Sequence, residues 1–317
     1  MFDWRNFDTD RMLKRMCWVG GIATVAVILM RVWLVPTAAD WPTGLFDNNY
    51  WVMGVMLAAL AVLAALSFLS GPLRREIGGR AGVWVALASL LAGLVLAVKG
   101  GIDLLHYYGV LPTSTIVTPS LLSLLEHVFA LLGGAALIRF GLALMSEGAT
   151  RRGIAQWSIL APVMWMWFRL INYEMSYASM VRIEDNFFGF VMLILEMLFL
   201  FRLARYASGI GRVSAGSVMW NSMAAALFAV SGPLTRVIMY LLGDNMAYDA
   251  YYLAGPVDMA MGVLALVVGI ALVSGTPVDQ SPVSDAPAER MAEDASASVS
   301  AESLLFGVEE DAPETAE

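Results

Sequence analysis

Eight apolar stretches, each broken by few polar residues, divide most of this chain; they run at about 16–35, 50–70, 82–104, 119–145, 155–173, 186–204, 215–242 and 251–273. A helix needs about 20 apolar residues to cross the ~30 Å hydrocarbon layer of a bilayer, and each stretch is close to that length. The connections between them are short. The pattern predicts an all-α fold: a polytopic integral membrane helix bundle of about eight transmembrane helices over residues 1–274, with the lipid bilayer as its surroundings. The first stretch follows a basic leader with Arg11, Lys14 and Arg15 and has small residues at Ala38 and Ala39, as a cleaved signal would. Arg31 and the length of the apolar run predict a retained anchor instead.

Composition agrees, with 59% hydrophobic and 15% charged residues and a mean hydropathy of +0.70, far from the mix of a soluble domain. Net charge needs dividing before it means anything. Residues 275–317 hold eleven of the twenty-seven acidic residues and one basic residue, Arg290, so the rest carries eighteen basic against sixteen acidic residues, a net of +2. The total of −8 therefore describes a tail. That tail, rich in Ala, Ser, Pro, Asp and Glu, is expected to be a disordered, acidic, cytoplasmic segment. Within it Leu304, Leu305 and Phe306 stand among acids, a pattern suited to a protein partner with a basic groove. No nucleic-acid partner is expected.

Basic residues also give the orientation, because Lys and Arg in short loops resist translocation. Arg5, Arg11, Lys14 and Arg15 precede the first stretch, Arg74, Arg75 and Arg80 follow the second, Arg151 and Arg152 the fourth, and Arg202, Arg205 and Arg212 surround the end of the sixth. The alternate connections hold only Arg182. The chain is thus expected in the cell membrane, multi-pass, with both termini cytoplasmic.

Charges within the stretches can then be given depths at ~1.5 Å per residue. Lys99 and Asp103 fall near the outer end of the third stretch, Glu126 and His127 about 10 Å below the outer surface, and Arg169 in the outer third with Asn172, Tyr173 and Glu174 above it. Arg236 lies near the outer end of the seventh stretch, Asp258 about 10 Å down the eighth, and Glu196 near the midplane. An ionisable group in hydrocarbon is costly, so it faces protein and takes a partner or marks a polar path. Small residues lie at helical spacing from two of these charges: Gly232, Ala229, Ala225 and Ser222 from Arg236, and Gly262, Ala265 and Gly269 from Asp258. Such seams bring helices close, so Arg236 is expected to pair with Asp258, with Pro233 and Pro256 as bends beside them. Glu196 has Arg169 as its nearest candidate partner in depth.

Two functions fit this set. Lys99, Glu126, His127, Arg169, Glu196, Arg236 and Asp258 could line an outward-facing pocket that binds or transports a small polar solute. Alternatively they are structural ion pairs in a non-catalytic membrane scaffold or assembly partner whose tail recruits. Catalysis is not expected: His106 and His127 are the only histidines, HExxH is absent, Cys17 is the only cysteine, and no Gly-rich phosphate loop occurs. No metal or cofactor is called for, because adjacent Glu126 and His127 point about 100° apart on a helix and make a poor shared metal face.

Reporter fusions test the topology. Fusions at Asp47, Leu111 and Asp249 should read as external and those at Arg75, Arg151 and Arg212 as internal; reversal at any two positions overturns it.

Overall fold

Helix boundaries follow the capping chemistry that flanks each apolar run. Ser120 accepts the N–H of Ser123 (3.1 Å) and Ser214 that of Ser217 (3.2 Å), satisfying donors that a helix start leaves open. The computed structural model describes residues 9–40, 45–46, 50–70, 74–77, 79–111, 120–146, 160–177, 183–208, 213–242 and 255–278. The acidic tail lies outside them. Helices occupy nearly all of the described chain: α1 Thr9–Ala38, α2 Tyr50–Leu69, α3 Gly79–Tyr107, α4 Leu121–Met145, α5 Leu160–Tyr177, α6 Ile183–Ser208, α7 Ala215–Leu241 and α8 Pro256–Ser274. Two very short antiparallel pairs accompany them, β1 Ala39–Asp40 with β2 Leu45–Phe46, and β3 Arg74–Glu76 with β4 Thr276–Val278.

Seven of these helices, all but α5, are long and apolar enough to cross a membrane. They mark a multi-pass membrane protein. α5 has 18 residues and includes Arg169, Asn172 and Glu174, which lower its hydropathy. Outward faces are apolar, as lipid requires: Trp18, Ile22, Val25, Leu29 and Trp33 are exposed along α1, recurring at three- and four-residue intervals.

α7 is the hub. It packs against α1, α2, α6 and α8, and 67% of its most apolar window is buried against 22% for α2. Small side chains at Ser222, Ala224, Ala225, Ala226 and Ala229 make this possible, since helices without a water-driven collapse rely on close van der Waals approach. The expected seam is present: a Cβ added at Gly262 of α8 would meet the Cβ of Ala229 at 2.9 Å and its carbonyl carbon at 3.0 Å. The crossing of α3 and α4 is tighter still. A Cβ on Gly93 would lie 2.7 Å from the Gly134 oxygen, and one on Gly134 would lie 2.6 Å from the Gly93 oxygen. At that spacing backbone meets backbone, and no side chain can yield.

One end of the bundle is closed by Arg75, a residue the sequence places in a solvated basic loop. It is buried, ion-paired with Asp10 of α1, and its Nη1 donates to the carbonyls of Leu272 (3.3 Å) and Val273 (2.9 Å). A cation here satisfies orphan acceptors at the negative end of the α8 dipole. The Arg75 N–H donates to the Tyr206 hydroxyl of α6 at 3.0 Å, and that hydroxyl donates to the Arg75 carbonyl. With β3 paired to β4, the compact unit extends to Val278, four residues beyond the expected end at 274.

The α3–α4 crossing yields a direct test. Gly134→Ala should destabilise the protein in mild detergent by about 1–3 kcal/mol, whereas Gly54→Ala, with nothing within 4 Å of the new Cβ, should be neutral or stabilising. Equal melting temperatures for the two variants would exclude the close approach.

Candidate functional site

Ionisable side chains meet where α3, α4, α5, α6 and α8 bring their polar positions inward. The central member is Arg169 of α5, whose guanidinium lies 5.3 Å from the ring centroid of Trp165, one turn earlier. Trp165 is fully buried. The aromatic face supports the guanidinium and directs it to Asp258. Nη2 donates to Oδ2 at 2.9 Å, and Nη1 pairs with Oδ1 in the parallel, two-pronged arrangement that suits a guanidinium and a carboxylate.

Asp258 has a second task. α8 begins at Pro256, whose fixed φ and missing N–H suit the first helical position. The Gly255 N–H donates to Asp258 Oδ2 at 3.0 Å, closing a capping box. Two expectations are corrected here. Asp258 stands in the first turn of α8, not two turns into a helix that starts at 251, and Pro256 opens the helix and does not bend it. The Arg236–Asp258 pairing is also overturned, because Arg169 and Gly255 hold both oxygens of Asp258. The reason lies in burial: Arg169 is 6% exposed and needs a charge partner, while Arg236 on α7 is only partly buried.

Further along, Asn172, nearly one turn after Arg169 on α5, donates to Glu126 Oε2 of α4 at 2.6 Å. Glu126 lies within electrostatic reach of both Arg169 and His127. His127 Nδ1 is 3.7 Å from Asp103 Oδ2, and Asp103 is ion-paired with Lys99 one turn before it on α3. These contacts form a series of three separate groups, Lys99–Asp103–His127, then Glu126–Asn172, then Arg169–Asp258. Exposure falls along it, from 36% at Lys99, 25% at Asp103 and 17% at His127 to 7% at Arg169 and zero at Asp258.

Glu196 ends the series. It sits in the middle of α6, 1% exposed, within electrostatic reach of Arg169 and Asp258, and neither carboxyl oxygen has a hydrogen-bond partner among the described residues. Arg169, the candidate partner of Glu196, has its guanidinium turned to Asp258. Of the seven expected site residues, the structure gathers Arg169, Asp258 and Glu196 into one buried triad and Lys99, Glu126 and His127 into the adjoining seam; Arg236 stands outside the ion pair assigned to it. Asp103, Asn172 and Trp165 belong to the site as well. Asp103 was readable as the i+4 partner of Lys99, but nothing local marks Trp165 as the support for Arg169. Set against protein-family models, curated proteins and solved structures, the chain matches none of them.

Double-mutant stability checks the pair. Arg169→Met strands a buried carboxylate and should cost about 3–5 kcal/mol, part of which the additional change Asp258→Asn restores. Strictly additive losses in mild detergent would rule the pairing out.

Proposed function

We propose that the chain is a multi-pass protein of the cell membrane, both termini cytoplasmic, that binds and passes a small polar solute in the seam from Lys99 to Glu196. The observation that carries this reading is the graded series of polar groups, partly exposed at one end and enclosed at the other, in helices otherwise built for lipid. A ledge of both signs, Lys99 and His127 with Asp103 and Glu126, suits a solute that presents both donors and acceptors. His127 Nδ1 is buried without a hydrogen bond, which leaves a ring nitrogen for such a solute. In this reading α5 is the eighth crossing, and its ion pair and Asn172–Glu126 bond offset its low hydropathy. No catalysis is proposed.

One observation favours a second reading. Asp258 is fully satisfied by Arg169 and the Gly255 N–H, and a closed pair of this kind is also what a scaffold would use to fix helix register. There the seam would be dry, and the acidic tail would recruit a protein partner.

Thiol labelling distinguishes the two. In a Cys17→Ser background, Asn172→Cys and His127→Cys should react with a membrane-impermeant maleimide added outside intact cells, while lipid-facing Val25→Cys should not. If both seam positions stay as unreactive as Val25→Cys, yet label after denaturation, the solute reading fails and the scaffold stands.

A further inference from the structure

The triad holds one cation and two acids in a space closed to water. Arg169, Asp258 and Glu196 are 6%, 0% and 1% exposed. Asp258 takes the guanidinium, and both Glu196 oxygens are left with no donor among the described residues. An ionised carboxylate buried without a partner costs several kcal/mol or more, whereas the neutral acid avoids the charge penalty. Two carboxyls that share a site do not ionise together when only one cation balances them.

We propose that Glu196 is a proton-binding site and that it shares Arg169 with Asp258, so that one proton and one guanidinium are divided between two carboxyls. In one arrangement Arg169 pairs with the Asp258 carboxylate and Glu196 carries the proton. In the other Arg169 pairs with the Glu196 carboxylate and Asp258 carries it. Passing from the first to the second breaks the O–H bond of Glu196 and forms one on Asp258. The triad keeps one cation, one anion and one neutral acid throughout, so the exchange changes no net charge in a low-dielectric interior. The three side chains come from α5, α8 and α6, so moving the guanidinium between the acids changes which helix α5 is tied to. Movement of Arg169 away from Asp258 also leaves the α8 capping box to hold the helix start alone.

Other charged and titratable groups on the elements packed against α6 are few. α5 contributes Arg169, Tyr173, the exposed Glu174 and, as its last residue, Tyr177; α7 contributes Arg236 and Tyr240, α8 contributes Asp258, and Arg31 of α1 lies over the Phe188 ring of α6 at 4.6 Å. On α6 itself Glu184 and Asp185 stand in the first turn, about three turns before Glu196, and Arg202, Arg205 and Tyr206 follow more than a turn later. Among the described residues, Asp258 and Arg169 are the charged groups that act on Glu196. The inference rests on the geometry of the triad and not on the solute reading, so an unreactive seam in thiol labelling leaves it intact.

Infrared difference spectroscopy on the purified full-length protein, in H2O and D2O at neutral pH, tests it. The wild type should show a protonated carboxyl band that shifts in D2O and is lost in Glu196→Gln. Asp258→Asn should also lose it, because Arg169 then passes to Glu196 and holds it as the carboxylate. Persistence of the band in Glu196→Gln, or in Asp258→Asn, overturns the proposal. Should a variant fold too poorly for spectra, melting temperatures in detergent give an independent answer. Glu196→Gln alone should leave the midpoint unchanged, while adding it to Asp258→Asn should lower the midpoint below that of Asp258→Asn. Equal midpoints for Asp258→Asn and the double variant would show that Glu196 never receives the guanidinium.

Discussion

A guanidinium closed off from water must find a carboxylate, and in this bundle Arg169 finds Asp258. The pair is valuable less for its net energy, which burial of both charges largely cancels, than for what its loss would leave behind. It gives α5, the helix that is not among the seven long and apolar enough to cross a membrane, a reason to stay inside. It also fixes the first turn of α8, because the same carboxylate that receives Arg169 caps the helix through Gly255. One side chain thus answers two demands of a nonaqueous interior, an unsatisfied backbone donor and an unbalanced charge.

Around this pair the remaining helices are held by shape. Gly93 and Gly134 let α3 and α4 touch through their backbones, and Gly262 does the same for α8 against Ala229 of α7. At the Arg75 end a second buried cation works differently, gathering the last carbonyls of α8, Asp10 of α1 and, through its backbone, Tyr206 of α6. The two arginines bracket α8, one near each end. A helix anchored so at both termini is poorly placed to slide, and the polar groups collect on the side of α5 and α6.

That side holds the imbalance. Lys99 has Asp103, Glu126 has Asn172, Arg169 has Asp258, and Glu196 has no donor among the described residues. Glu196 lies at the enclosed end of a series whose other end, at Lys99, Asp103 and His127, is partly exposed. A solute or a proton reaching the triad would therefore act on the interaction that positions α5 and α8.

Much of the architecture was legible in the residues themselves, because each apolar run must satisfy its own backbone and the bilayer fixes its length. The helix positions, the small-residue seam of α7 and α8 through Ala229 and Gly262, and the inward placement of Glu196, Arg169 and Asp258 all follow from spacing along single helices. Which cation meets which acid does not. Arg236 and Asp258 are near in sequence and share a seam, yet the partner of Asp258 comes from 89 residues away. Arg75 reads as a loop charge and proves to be a buried cap for a helix 197 residues distant. Partner choice among long side chains depends on differences of a few ångströms in how helices rotate and stack, and only the packing of the whole bundle sets those.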